Sequence, residues 1–120
     1  MPAVLPLLLL LFSPGEKPAR EQGESELKFG IDVAKKGLWS EARFRFERAA
    51  ALTPDSAQAQ NNLAVSLEQQ GDFKGARAAY DKALKLKPGD VYIQQNYDLF
   101  READDKRNRK AKKKPAAPTP

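Results

Sequence analysis

Cysteine and histidine are both absent from the 120 residues of this chain, which has a single methionine and a single tryptophan. Without those side chains there is no Ser-His-Asp or Cys-His catalysis, no usual zinc site, no disulfide and no lipid attachment through cysteine. No glycine-rich phosphate loop occurs either. The carboxylates are scattered where solvated ion pairing is their expected role. No catalytic residue, metal, cofactor or small-molecule substrate is therefore expected, and the chain reads as a non-enzyme. Long apolar runs are missing as well. The most apolar stretch, residues 3–12, falls well short of the ~20 residues that span a bilayer.

What the chain does have is a period. Gly37 recurs as Gly71, Trp39 as Phe73, Ala42 as Ala76, Phe46 as Tyr80, Ala49 as Ala83 and Pro54 as Pro88, each pair 34 residues apart. Self-similarity at a fixed period marks a solenoid, in which each unit buries its faces by stacking on a neighbour. Within a unit, apolar residues at three- and four-residue steps predict two amphipathic helices. Gly71 suits the left-handed end of the first helix, Asp72 the N-cap of the second, and Pro88 its stop. Small residues at Gly30 or Ala64, and at Ala42 or Ala76, allow the paired helices to approach closely. Trp39, Phe46, Phe73 and Tyr80 then fill the space between layers.

This pattern resembles the tetratricopeptide repeat, a 34-residue helix–turn–helix unit. One unit covers residues 23–56 and a second 57–90. The family's usual tryptophan near the start of the first helix is replaced by Glu26 and Gln60. Leu38 stands where a polar N-cap is expected, so the first turn should be looser than its counterpart at Asp72. A third unit starts at Val91 but has Asp105 where its turn glycine should fall. Ile93, Tyr97 and Phe100 form one apolar stripe there, with Gln94, Asp98, Arg101 and Asp105 away from it. The expected architecture is all-α: a linker over 16–24, a first helix starting near Ser25, a short solenoid over 25–106 with a capping helix over 91–106, and a disordered basic tail over 107–120.

Two repeats and a cap are near the lower limit for a self-supporting solenoid, so stabilisation by a partner or by self-association is expected. The net charge of +5 and the pI of about 9.5 belong to one end. Basic and acidic residues cancel at 13 each up to Phe100, whereas residues 101–120 carry eight basic and three acidic. Lys106, Arg107, Arg109, Lys110, Lys112, Lys113 and Lys114 form a candidate anion-binding tail, suited to nucleic-acid phosphate, lipid headgroups or an acidic protein. No aromatic follows Phe100, which argues against base stacking.

The resemblance also implies a binding surface. In this family the first helix of each pair lines a concave groove that holds an extended peptide or a partner helix. By register these residues are Leu27, Lys28, Ile31 and Lys35 (with Glu24), then Gln58, Asn61, Asn62, Val65 and Gln69, then Tyr92, Gln95, Asn96 and Leu99 (with Ala103). Asn62 and Asn96 are again 34 apart, and an amide can pair with a peptide backbone of any sequence. Some family members use such an asparagine ladder. The family's carboxylate clamp needs a lysine and an asparagine where this chain has Leu27 and Ile31, so that function is not implied. The leading expectation is a protein-interaction adaptor. The alternative is an anionic-surface binder that uses the tail, with the repeats as scaffold.

Residues 1–15 read as a signal-peptide-like segment: residues 3–12 suit the apolar core, with Ser13, Pro14 and Gly15 behind it, although no basic residue precedes that core. Export or membrane association is the expectation, and a cytoplasmic protein the alternative. Expression through a secretory host should yield a mature N-terminus at or just beyond Ser13–Gly15, read from the intact mass.

Overall fold

The computed structural model describes residues 17–113; the apolar stretch 1–15, Lys114 and the Pro/Ala-rich residues after it lie outside the described residues. Five α-helices follow one another among the described residues: α1 (Ala19–Lys35), α2 (Trp39–Leu52), α3 (Ala57–Gln69), α4 (Phe73–Leu86) and α5 (Val91–Lys113). None of them is long and apolar enough to cross a membrane. α1 pairs with α2 and α3 with α4. α3 also packs on α2, and α5 packs on α4.

The pairs are held by a close approach. Gly30 of α1 is buried against the Phe46 ring of α2, so near that a Cβ on Gly30 would lie 2.5 Å from ring carbon Cε1. Ala64 and Tyr80 hold the corresponding positions of the second pair and share its core with Leu67, Ala76, Ala79 and Phe100. Phe46, Val33 and Ala42 form the first core. Leu63 packs against both clusters and so joins the repeats. Ala57, Ala83 and Ile93 make a third cluster under the start of α5.

The two turns within the pairs close alike. Gly37 and Gly71 adopt φ of 76° and 81°, where a side chain would be strained. Leu38 N–H donates to Val33 O at 3.1 Å, as Asp72 N–H donates to Leu67 O at 2.9 Å. Asp72 additionally accepts from Gly75 N–H at 2.9 Å, while Leu38 offers no side-chain cap. The first turn is thus not looser in backbone, contrary to expectation. The glycine and its backbone hydrogen bonds set the geometry, and the missing cap removes one bond only.

Glu26 and Gln60 replace the family's tryptophan, and the reason is visible at Glu26. Burial raises its carboxyl pKa, but hydrogen bonds from Arg45 and Arg48 outweigh this and leave it lowered. Those ion pairs span 3.2 and 3.1 Å and tie α1 to α2 by charge. Arg45 also lies 4.4 Å over the Phe29 ring.

Two boundaries differ from the sequence reading. α1 begins at Ala19 rather than near Ser25, so residues 19–24 are helix and not linker. Gly23 is a packing residue inside that helix, not a linker glycine: a Cβ there would meet Thr53 Cγ2 at 2.7 Å. Arg20 also pairs with Asp55 at 2.9 Å on the surface beside it.

At the other end, α5 continues to Lys113, and the basic run expected to be disordered is helical that far. The apolar stripe Ile93, Tyr97, Phe100 goes on as Asp104 and Arg107. Asp104, only 8% exposed, accepts from Arg77 of α4 at 2.7 Å and from Arg107 at 3.1 Å. Arg107 in turn lies 3.5 Å over the Phe73 ring. This latch carries the helix past Asp105.

Gly30→Val should destabilise the domain by about 1–3 kcal/mol, because the buried Phe46 ring cannot yield to the new side chain; urea unfolding followed by circular dichroism measures it. The Asp104 carboxyl is held below its usual pKa, by the Arg77 hydrogen bond first, with burial opposing and Arg107 assisting. A depressed folded-state pKa means that the latch contributes fully above the unfolded value of about 3.9 and is lost as pH falls through the folded one. Asp104→Asn should therefore cost about 1 kcal/mol at pH 7, discounted for the partly exposed arginines. Its deficit against the parent should narrow steadily below about pH 4, as urea midpoints at the two pH values will show.

Candidate protein-binding groove

α1, α3 and α5 lie side by side on one face, and their facing side chains frame two neighbouring hollows. The first, about 250 Å³, is lined by Ile31, Ala34 and Lys35 of α1, Trp39 and Phe46 of α2, and Asn62 and Val65 of α3. Its walls are almost wholly apolar, with the Lys35 ammonium and the Asn62 amide as the polar groups. That size is below a typical small-molecule pocket and suits a single large side chain of a bound segment. The second, about 300 Å³, is the more polar of the two and mixes both characters: Ala57, Gln58, Asn61 and Asn62 of α3 face Lys87, Asp90, Tyr92 and Ile93.

Asn62 borders both hollows. The two asparagines 34 residues apart do not stand as separate rungs. Asn96 Nδ2 donates to Asn61 Oδ1 at 3.3 Å, and Asn61 Nδ2 donates to Asn62 Oδ1 at 3.4 Å. Three amides thus form a chain across the α3–α5 junction that engages the Asn62 carbonyl and leaves its NH2 without a partner among the described residues. Asp90 anchors the far rim. It accepts from Ile93 N–H at 3.0 Å, capping α5, and pairs with Lys87 at 3.3 Å. The Ile93 hydrogen bond, ahead of Lys87 and against burial, keeps its carboxyl pKa low.

The remaining groove residues fall elsewhere. Leu27 and Glu24 line a smaller hollow near the start of α1, shared with Gln58, Thr53 and Asp55. Gln95 and Leu99 border a shallow hollow with Gly89, Val91, Gln94 and Asp98, separate from the one that holds Val65. Lys28 and Gln69 are exposed and line none of these hollows. Tyr92 and Leu99 are 79% and 62% exposed, unusually bare for large apolar side chains. Trp39, Phe46, Lys87 and Asp90 belong to the hollows but were not among the groove residues read from the sequence. Trp39 and Phe46 sit at core positions of the repeat; the gap between α1 and α3 leaves Trp39 half-buried, with the buried Phe46 ring as the floor of the hollow. Asp90 carried a signal: an acidic residue three before Ile93 at a helix start.

Of the basic run, Lys106, Arg109, Lys110, Lys112 and Lys113 are exposed. Arg107 is half-buried, engaged by Asp104 and the Phe73 ring.

A helical face with hollows between successive first helices defines a repeat scaffold for protein recognition. Residues 27–91, more than half of the chain, match a family model described as a tetratricopeptide repeat, and the chain belongs to that family. It is 37% identical over 82 residues to mouse "Protein O-mannosyl-transferase TMTC1", covering 67% of this chain and 9% of that protein. It is 35% identical over 66 residues to "Tetratricopeptide repeat protein 36" of Xenopus tropicalis, covering 55% of this chain and 33% of that one. The chain thus spans a third or less of these relatives, and the activity named for the first stays with that protein. Its fold is like that of the Sgt2 tetratricopeptide domain from Aspergillus fumigatus, with a TM-score of 0.71 at 21% identity over 86% of this chain and 68% of that one. The fold is a module of protein–protein interaction.

Proposed function

We propose that the protein binds a segment of another protein in the groove between α1, α3 and α5, with an apolar side chain of that segment seated between Ile31, Trp39, Phe46 and Val65. The observation that carries this reading is Asn62. It stands at the junction of the apolar and the polar hollow, its amide oriented by Asn61 and Asn96. An oriented amide beside a side-chain pocket matches what an extended backbone offers: alternating side chains and peptide groups. Gln58 and Tyr92 extend the polar wall. A reading in which the repeats merely support the tail has less support, because Arg107 is folded back onto the domain.

The test is site-specific photocrosslinking in native extract, with a benzophenone side chain placed at Val65 or, as control, at exposed Lys82 of α4. Crosslinks to a discrete protein are expected at Val65 and not at Lys82. Val65→Lys should reduce that capture about tenfold or more, with thermal unfolding shifted by no more than a few degrees. Equal labelling at both positions removes the groove from consideration.

A further inference from the structure

Tyr92 and Asn96 of α5 face α3, and the line they begin runs on past the repeats. Tyr92, Asn96, Leu99 and Ala103 are spaced four, three and four, and the same alternation continues through Lys106, Lys110 and Lys113. At 3.6 residues per turn these positions keep to one side of the helix, and all three lysines are exposed. Asp98 and Asp105 lie well round the helix from this line, and Gln94 holds Asp98 at 2.9 Å. Glu102 is at its edge. Among the described residues no carboxylate forms an ion pair with any of the three lysines.

The period places the stripe relative to the groove. Lys35, Gln69 and Ala103 are 34 residues apart and so occupy the same level at the ends of α1, α3 and the groove part of α5. The lysine line starts one turn beyond that level, on the side where Lys35 already rims the apolar hollow. Its orientation is set by the Asp104 latch, which holds the helix to α4 where it leaves the repeats. From Ala103 to Lys113 the helix advances ~15 Å, the reach of about four or five extended residues.

We propose that the groove and this line form one composite site for an acidic protein segment: an apolar side chain enters the hollow at Val65, and a neighbouring run of about four aspartates or glutamates lies along Lys106, Lys110 and Lys113. This rests on the groove reading above and adds the chemistry of the ligand. Charge complementarity argues for it, since lysines without a carboxylate partner extend the line that Tyr92 and Asn96 begin beside the amide-rich hollow. Nucleic acid fits less well, because the apolar hollow and the amide chain precede the charges and no aromatic beyond Phe100 offers a stacking face. A planar lipid surface fits less well still, because it cannot reach between α1 and α3.

A displayed library of random 12-residue peptides, selected on the full-length protein, tests the proposal. Enriched peptides should carry an apolar residue within about five positions of three or more acidic ones. For a synthetic peptide of that sequence, K106E/K110E/K113E should weaken binding about tenfold or more and flatten its salt dependence, and Val65→Lys should weaken it comparably. Replacing the peptide's Asp and Glu by Asn and Gln should reproduce the loss on the parent protein. Enriched peptides with no acidic bias that still need Val65 overturn the composite site and leave the groove reading standing. Acidic peptides indifferent to Val65→Lys overturn it in favour of a tail acting alone. A library that enriches nothing sinks both readings. Oligothymidylate or phosphatidylserine vesicles bound through the same lysines more tightly than any enriched peptide would reassign the line to nucleic acid or membrane.

Discussion

Everything in this fold rests on how near the two helices of a pair come to each other. Gly30 has no side chain where the Phe46 ring arrives, and Ala64 has only a methyl beside Tyr80. That closeness lets one aromatic ring fill the space between helices and still show an edge to the next unit. Tyr80 illustrates the consequence. Its ring lies 5.5 Å from Tyr97 and 5.4 Å from Phe100, so the same side chain that closes the second pair also receives α5. Its hydroxyl donates to Glu68 at 3.1 Å, and burial, with that carboxylate's help, drives its pKa well up. The ring therefore stays neutral at any physiological pH.

The groove is the by-product of that packing. α1 packs far more closely on α2 than on α3, and the gap toward α3 leaves a hollow where Trp39 and Val65 are partly bared over the buried Phe46 ring. Two kinds of chemistry result, apolar toward α1 and amide-rich toward α5, and they meet at Asn62. The polar half is stiffened by bonds that have nothing to do with a ligand: the Asp90 cap and the Asn61–Asn96 contact. A site whose walls are also structural loses little conformational freedom on binding.

Much of this was readable in the residues. The period located both pairs, both turn glycines and the aromatic layer, because each depends on local backbone demands or on helical spacing. Asp104 shows where such reading stops. Periodicity puts it on the buried stripe, yet a carboxylate on a core face looks like an error until Arg77 arrives from another helix. Gly23 is the mirror case. It looks like linker punctuation and proves to be a contact point, since its neighbours Leu52 and Thr53 are some thirty residues away in sequence.

By itself, then, the sequence determined the helical class, the 34-residue unit, the turns and which faces are apolar. These follow from steric preferences and from burial, which act over a few residues. The tertiary structure decided where helices end and which candidate residues share a hollow. It extended α1 by packing Gly23 on Leu52 and Thr53, and carried α5 into the basic run through Asp104. It also moved Leu99 away from Val65 and brought Asn61 to Asn96. Each of those outcomes turns on contacts between residues distant along the chain, whose energies no local pattern encodes.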